Sequence, residues 1–210
     1  LMASAHDRVP SRIMVWACQP FSHDRLRTQA NQIAQGLRRA DGDWGLVIAP
    51  HPAQGVGAFS SLFECDRGPL DDELPVAVAD PQVGARGCLA GADALASAYS
   101  TCGIEAVLLQ VPVLEIGPSG ERTLGLAGHG LAHRCHSADD VTAALTALAC
   151  PDELMAQPVP DAVCRWRGDS AAAIAGLILG PEGATPLDPV PADSSAADPA
   201  QPQGEGVPTQ

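Results

Sequence analysis

Short apolar runs that lack polar alternation, separated by helical patterns, constrain the fold of this chain more than any other feature. The runs lie at residues 12–18, 45–49, 75–79, 92–98, 112–116 and 130–135. Strands that are apolar on both faces are typical of a parallel sheet covered by helices on both sides. The pattern therefore predicts an α/β fold with a six-stranded parallel sheet and helices on both faces.

The longest helical pattern covers residues 24–40, where apolar side chains recur at spacings of three and four. These side chains are Leu26, Ala30, Ile33 and Leu37. Ser22 is the expected N-cap of this helix, and Gly42 follows its end. Further helices are predicted at residues 83–91, 102–110, 138–149 after the cap Ser137, and 169–179, with a short helix near 59–63 and a helical turn or two at 122–128.

Composition divides the 210-residue chain into three parts. Residues 181–210 are rich in proline and alanine, carry acidic but no basic residues, and contain few large apolar side chains. Such a segment cannot offset the entropy cost of ordering, so we expect a disordered acidic tail there. Residues 1–11 are expected to be disordered or a linker, and residues 12–180 to form the folded domain.

The charge of the chain disfavours several kinds of partner and chemistry. The formal net charge is −13, and all 12 basic residues are arginines. Such a surface argues against binding nucleic acid or anionic lipid through bulk charge. A sequence without lysine has no P-loop lysine and no Schiff-base lysine. We therefore expect backbone amides, a histidine or a few arginines to hold any phosphate group.

The seven cysteines are scattered without a Cys-x-x-Cys pair, which matches neither a zinc site nor a disulfide framework. They predict small buried side chains in a reducing, cytoplasmic environment. No run approaches the ~20 apolar residues of a membrane span, and residues 1–8 do not resemble a signal peptide. His129, His133 and His136 lie near Cys135, but their spacing fits no common metal motif, and we expect no metal site there.

Polar side chains follow several predicted strands, and parallel strands bring their carboxyl ends to one edge of the sheet, where ligands bind. His51 stands between two prolines after the second strand. Its ring can donate to a phosphate oxygen, or it can be a solvated or capping histidine. The residues themselves leave both interpretations open.

A second candidate site precedes the helix predicted at residues 102–110. The hydroxyls of Ser100 and Thr101, with the free amides of a helix start, can bind an anion without lysine. Gly103 would then let a ligand approach the backbone closely. The alternative for the hydroxyls is an ordinary N-cap. Glu105 can accept hydrogen bonds from a ribose, or it can complete a capping box.

Residues 91–114, which read GADALASAYSTCGIEAVLLQVPVL, resemble the donor-nucleotide region of GT-B glycosyltransferases. Residues 49–52 resemble a His-Pro motif that occurs upstream in several such families. These include capsule and sialic-acid transferases, teichoic acid glycerophosphotransferases and non-hydrolysing UDP-N-acetylglucosamine 2-epimerases. The resemblance covers about residues 12–179 and implies a Rossmann-like domain, which is one half of a GT-B fold.

The resemblance also implies roles for individual residues. In these families a histidine and a Ser-Thr pair contact the donor phosphates, and a glutamate contacts the ribose. The implied donor-binding residues here are His51, Ser100, Thr101, Gly103 and Glu105. Arg25 would neutralise a diphosphate, although an ordinary role in the first turn of a helix is favoured. Glu121 would serve the nucleotide base or ribose, or would only open a helix.

The sequence departs from the family pattern in two places. Gln110 and Val111 stand where a small basic segment usually precedes Pro-Val. Residues 1–11 leave no room for the N-terminal acceptor domain, which usually supplies the catalytic base. Catalytic residues therefore stay unassigned, and a separate N-terminal domain or partner chain is expected to supply the acceptor site.

These observations together predict a glycosyltransferase-like domain that binds a UDP-, CDP- or GDP-linked sugar, or an alditol phosphate donor, without a cofactor or a metal. Transfer would proceed by electrostatic stabilisation of the leaving diphosphate. One alternative is an enzyme similar to the 2-epimerases, which would need additional carboxylates in the cleft. The other is a truncated, non-catalytic module that binds a nucleotide or a protein partner.

Overall fold

Six parallel strands form a single sheet in a computed structural model of the chain, which describes residues 9–63, 70 and 74–148. The strands are β1 (Arg12–Ala17), β2 (Trp44–Ala49), β3 (Val76–Val78), β4 (Ala94–Ser97), β5 (Val113–Ile116) and β6 (His133–Cys135). Their order across the sheet is β3-β2-β1-β4-β5-β6, and every neighbouring pair is parallel. The α/β fold and the parallel sheet predicted from the sequence are confirmed.

In the described residues, four α-helices and three short 3-10 helices accompany these strands, and the last α-helix follows β6. The α-helices are α1 (His23–Arg39), α2 (Gly84–Cys88), α3 (Cys102–Leu108) and α4 (Ala138–Ala147). The 3-10 helices are Val56–Phe63, Leu89–Gly91 and Leu126–His129. None of the helices in the described ranges is long and apolar enough to cross a membrane. The helix predicted at 169–179 and the predicted acidic tail lie outside the described residues.

Helices cover both faces of the sheet, as the uninterrupted apolar strands predict. On one face, Met14 and Trp16 of β1 pack in a core with side chains of α1 and α4. On the opposite face, Val15 and Ala17 pack in a second core that includes Ala106 of α3. Because successive side chains of a strand point to opposite faces, the alternate residues of β1 belong to different cores.

Two strands, β4 and β6, begin two and three residues later than the sequence predicts. β4 begins at residue 94 because Leu89–Gly91 forms a 3-10 helix, after which the Asp93 carboxylate accepts a hydrogen bond from the Ile13 amide at 2.7 Å. β6 begins at residue 133 because the 3-10 helix Leu126–His129 precedes it and ends at Gly130 with a φ of 71°. A residue in the left-handed region cannot continue a strand.

The start of α4 carries the capping box whose first member, Ser137, was expected from the sequence. Ser137 Oγ accepts a hydrogen bond from the Asp140 amide at 3.2 Å, and Asp140 Oδ2 accepts one from the Ser137 amide at 3.0 Å. The same carboxylate accepts the His136 amide at 2.8 Å. These hydrogen bonds, led by the one from His136, hold the pKa of Asp140 below its ordinary value of 3.8.

Asp140→Asn is expected to lower the free energy of unfolding by roughly 0.5–1 kcal/mol at pH 6, the usual range for losing a cap. A carboxylate with a lowered pKa stabilises the fold above its unfolded pKa, and this contribution is lost as the pH falls through the folded pKa. The difference between wild type and variant should therefore shrink as the pH falls below about 4. Urea unfolding of wild type and Asp140→Asn at a series of pH values measures this difference in free energy. A difference that stays constant as the pH falls below about 4 would contradict the capping role of the Asp140 carboxylate.

Candidate functional site

The carboxyl edge of the sheet collects the loops that carry the predicted site residues. Because all strands are parallel, the loops that follow β1, β2, β4 and β5 leave from this one edge. Arg25, His51, Ser100 and Glu121 each follow a different one of these strands. β1 lies between β2 and β4, so the strands that precede His51 and Ser100 are two strand spacings apart, about 10 Å.

His51 is half-buried, and its ring has a defined hydrogen-bonding role. The Ala53 amide donates to His51 Nδ1 at 3.1 Å, while the His51 amide donates to Gln54 Oε1 at 3.3 Å. Since Nδ1 accepts a hydrogen bond, the proton of the neutral ring resides on Nε2. His51 can therefore donate to a ligand oxygen through Nε2 without a change of tautomer.

An open cleft lies between the loop after β1 and the loop after β2. Its volume is about 380 Å³, at the small end of the range for ligand sites. Its lining consists of Pro20, Phe21, His23, Leu26, Ala53, Gln54, Gly55 and Ala58. At the same loops, His23 Nε2 forms a hydrogen bond with Ser61 Oγ. The sequence analysis did not identify this cleft, since its lining residues carry no motif.

Arg25 and Glu121 form an ion pair that joins the loop after β5 to the start of α1. Arg25 Nη2 and Glu121 Oε2 are 2.5 Å apart, and both side chains are about one-third exposed. The Arg25 guanidinium carbon lies 3.3 Å from the centre of the Phe21 ring. Both residues were predicted to bind a donor, and the structure brings them into direct contact.

Two aromatic rings occupy the position where the strand order reverses. Phe21, after β1, packs edge-on against Tyr99, after β4, with 5.4 Å between ring centres. In open α/β sheets this reversal point between neighbouring strands is the usual location of a ligand crevice. Phe21 thus links the two features, because it lines the open cleft and also contacts the Arg25 guanidinium.

The Ser100–Thr101 segment lies at the start of α3 and outside the core. Ser100 Oγ accepts the Cys102 amide at 3.3 Å, and the Ser100 amide donates to Ser97 Oγ at 3.0 Å. Thr101 is exposed and occupies the N-cap position, but its side chain makes no capping hydrogen bond. Since α3 contains only seven residues, its dipole is short. Because the Thr101 side chain makes no capping hydrogen bond, the capping box considered for Glu105 is not formed.

Gly103 and Glu105 both have protein neighbours. A Cβ atom on Gly103 would lie 3.1 Å from Leu126 Cδ1 and 3.3 Å from Leu124 Cδ2, so glycine lets the segment after β5 pack closely on α3. Glu105 Oε2 lies 3.5 Å from Arg86 Nε and is buried without a hydrogen-bond partner in the described part of the chain. The packing provides a structural reason for glycine at 103, while the predicted ligand roles of both residues stay predictions.

Two residues that the sequence analysis missed hold the loop after β5 in place. Glu115 is buried within β5, and its carboxylate accepts hydrogen bonds from Thr123 and from the amides that open the next 3-10 helix. Arg134 of β6 donates to the backbone oxygens of Glu115, Pro118 and Glu121. A glutamate inside an apolar run, as in Val-Leu-Glu-Ile, was the signal that could have identified Glu115.

The histidines near Cys135 do not form a metal cluster in the structure. Over residues 9–63, 70 and 74–148, no group of three or more histidine, cysteine, aspartate or glutamate side chains is arranged to hold a metal ion. Burial lowers the pKa of His133 and raises that of the Cys135 thiol to about 12. At neutral pH both side chains are therefore uncharged.

Comparisons with known proteins found matches among solved structures. No protein-family model matches the chain, and no curated protein matches it. The glycosyltransferase of kitacinnamycin is 21% identical over 74% of this chain and 37% of its own, with a TM-score of 0.43. A calicheamicin glycosyltransferase is 20% identical over 75% and 40%, also at 0.43. A spinosyn rhamnosyltransferase is 18% identical over 75% and 45%, at 0.41. The chain spans less than half the length of each of these structures.

Proposed function

We propose that this chain is the donor-binding half of a GT-B type glycosyltransferase and binds a nucleotide-activated sugar or alditol phosphate at the carboxyl edge of its sheet. The observation that carries the proposal is the convergence of His51, Arg25 and the Ser100–Thr101 segment on one edge of a sheet with the strand order of nucleotide-binding folds. The cleft of about 380 Å³ between the loops after β1 and β2 offers space for part of such a ligand; its lining includes Ala53 and Gln54 and not His51 itself.

The sequence of the loop after β1 indicates that side chains, and not the backbone of a glycine-rich turn, are the proposed phosphate ligands. Dinucleotide-binding folds place glycines here so that the diphosphate can approach the helix start. This loop instead reads Cys-Gln-Pro-Phe-Ser, in which the rings of Pro20 and Phe21 block such an approach. His51 Nε2 and the Arg25 guanidinium are donors that match phosphate oxygens in its place.

In the proposed reaction these donors stabilise the negative charge that develops on the leaving diphosphate. The acceptor and the catalytic base come from an N-terminal domain or a partner chain. The competing epimerase interpretation requires carboxylates in the cleft. The residues of the described chain that line the cleft include no aspartate or glutamate, while Glu105 and Glu121 follow other strands at the same edge.

Calorimetric titration with UDP-, CDP- and GDP-sugars tests the proposal. Wild type is expected to bind at least one of the three, and His51→Ala to bind it about tenfold more weakly, since a hydrogen bond to a charged group is lost. His129→Ala is the matched control, because that exposed histidine precedes β6 and so lies towards the amino edge of the sheet. Absence of binding by all three nucleotides would overturn the proposal. Equal binding by wild type and His51→Ala would remove only the role of His51.

A further inference from the structure

We propose that Glu121 acts as an internal competitor at Arg25, so that its carboxylate must leave before an anionic group of a ligand can bind the guanidinium. The inference rests on the proposed function in so far as that anionic group is the diphosphate of the donor. It adds a regulatory contact to the site: the unliganded protein holds its own binding arginine through a carboxylate contributed by another loop.

The ion pair with Glu121 uses only one of the two donors on the Nε–Nη2 edge of the Arg25 guanidinium. Glu121 contacts Arg25 through a single oxygen at Nη2. Arg25 Nε, on the same edge, is buried and has no hydrogen-bond partner among the residues that the structure describes. A phosphate presents two oxygens to the Nε–Nη2 edge and can satisfy both donors at once. A phosphate group is therefore a more complete partner for Arg25 than the glutamate is.

Arg25 is held in place independently of Glu121. Its guanidinium stacks on the Phe21 ring at 3.3 Å, and Phe21 is in turn packed against Tyr99. Stacking of an arginine on an aromatic face restricts its rotamers. We therefore expect the arginine to stay in position when the carboxylate leaves.

Glu121 can leave without disruption of its loop. Arg134 holds this loop by donating to the backbone oxygens of Pro118 and Glu121, and His136 Nδ1 contacts the Gly117 oxygen at 2.9 Å. None of these three contacts uses the Glu121 carboxylate, which is the far end of a flexible, one-third exposed side chain. Displacement of the carboxylate thus requires a rotamer change and no change in the sheet.

The expected consequence is that removal of the competitor strengthens anion binding. In Glu121→Gln the ion pair with Arg25 is lost, and the affinity for inorganic pyrophosphate should rise about threefold to fivefold, because a partly exposed ion pair contributes at most about 1 kcal/mol. Gly117→Ala tests the same point without a change of charge. The added Cβ would lie 3.0 Å from Glu121 Oε2, so the carboxylate must shift by a few tenths of an ångström, which should weaken its contact with Arg25.

The experiment is calorimetric titration of the full chain with inorganic pyrophosphate and with UDP at low salt. Glu121→Gln and Gly117→Ala should both bind pyrophosphate more tightly than wild type, and Arg25→Gln should bind it more weakly. Asp139→Asn is the matched control, because it removes the same charge from an ion pair with Arg39 on the α1–α4 side. Its affinity should equal that of wild type within about twofold.

The outcomes separate this inference from the proposed function. If pyrophosphate binding is unchanged or weaker in both Glu121→Gln and Gly117→Ala, the competitor role is wrong, whereas binding of UDP by wild type would leave the donor site intact. If both variants bind pyrophosphate more tightly but none of the UDP-, CDP- and GDP-sugars binds to wild type, the competitor role holds and the nucleotide proposal fails. An equal gain in Asp139→Asn would assign the effect to net charge and overturn the inference.

Discussion

Glu115→Ala is expected to lower the free energy of unfolding by roughly 2–4 kcal/mol, because the substitution leaves several buried donors without an acceptor. Glu115 is 2% exposed, and its Oε1 accepts the Leu126 amide at 2.9 Å. Its Oε2 accepts the Thr123 hydroxyl at 3.0 Å and the Ala127 amide at 3.4 Å. In alanine these three donors lose their partner, and a small cavity adds to the cost.

Urea unfolding of wild type, Glu115→Ala and Thr123→Val measures this effect. Thr123→Val removes one of the three donors and keeps the carboxylate, so it should cost only about 1 kcal/mol. A change of less than about 1 kcal/mol for Glu115→Ala would contradict the buried hydrogen-bond network, because one unsatisfied buried group alone costs that much. Comparison of the two variants distinguishes loss of the Glu115 carboxylate from a loss of stability that any substitution near this loop would cause.

Gly36→Ala is expected to lower the free energy of unfolding by about 2 kcal/mol, the typical cost of overpacking. A Cβ atom on Gly36 would lie 2.4 Å from Val141 Cγ1 and 2.5 Å from Val141 Cβ, so α1 and α4 must move apart. A loss of stability is informative, since Gly→Ala in a helix without close neighbours would raise the stability by about 1 kcal/mol through helix propensity. The steric overlap with Val141 must therefore cost more than helix propensity contributes.

Gly91→Ala is the control for this prediction, because nothing lies within 4 Å of a Cβ atom placed there. Its free energy of unfolding should be within about 0.5 kcal/mol of wild type, as for most surface substitutions. If Gly36→Ala proves more stable than wild type in urea unfolding, the close contact between α1 and α4 is wrong. In a double-mutant cycle, Gly36→Ala should cost less in a Val141→Gly background than in wild type, because the opposing Cβ is then absent.

Much of the fold could be predicted because strand and helix patterns are local properties of the sequence. Apolar runs located all six strands, and the spacing of Leu26, Ile33 and Leu37 located α1 to within one residue at each end. The predictions were least accurate where glycines and short 3-10 helices shorten β4 and β6. Such turns depend on backbone conformation and on contacts such as Asp93 with Ile13, which a local pattern does not contain.

The candidate site could be predicted only as far as its location. Parallel strands bring their carboxyl ends together whatever their order, so the edge that carries His51 and Ser100 followed from the strand pattern. The contact between Arg25 and Glu121 did not, because these residues are 96 positions apart and meet only through the arrangement of three loops. The packing role of Gly103 against Leu126 was missed for the same reason.

The amino-acid sequence by itself determined the fold class, the number of strands and the edge at which polar side chains collect, since each follows from the alternation of apolar and polar residues along short segments. Only the tertiary structure decided which of those side chains pair with each other and which remain available to a ligand. Strand order and loop packing set the distances between residues remote in sequence, and hydrogen bonds and ion pairs depend on those distances to within a few tenths of an ångström.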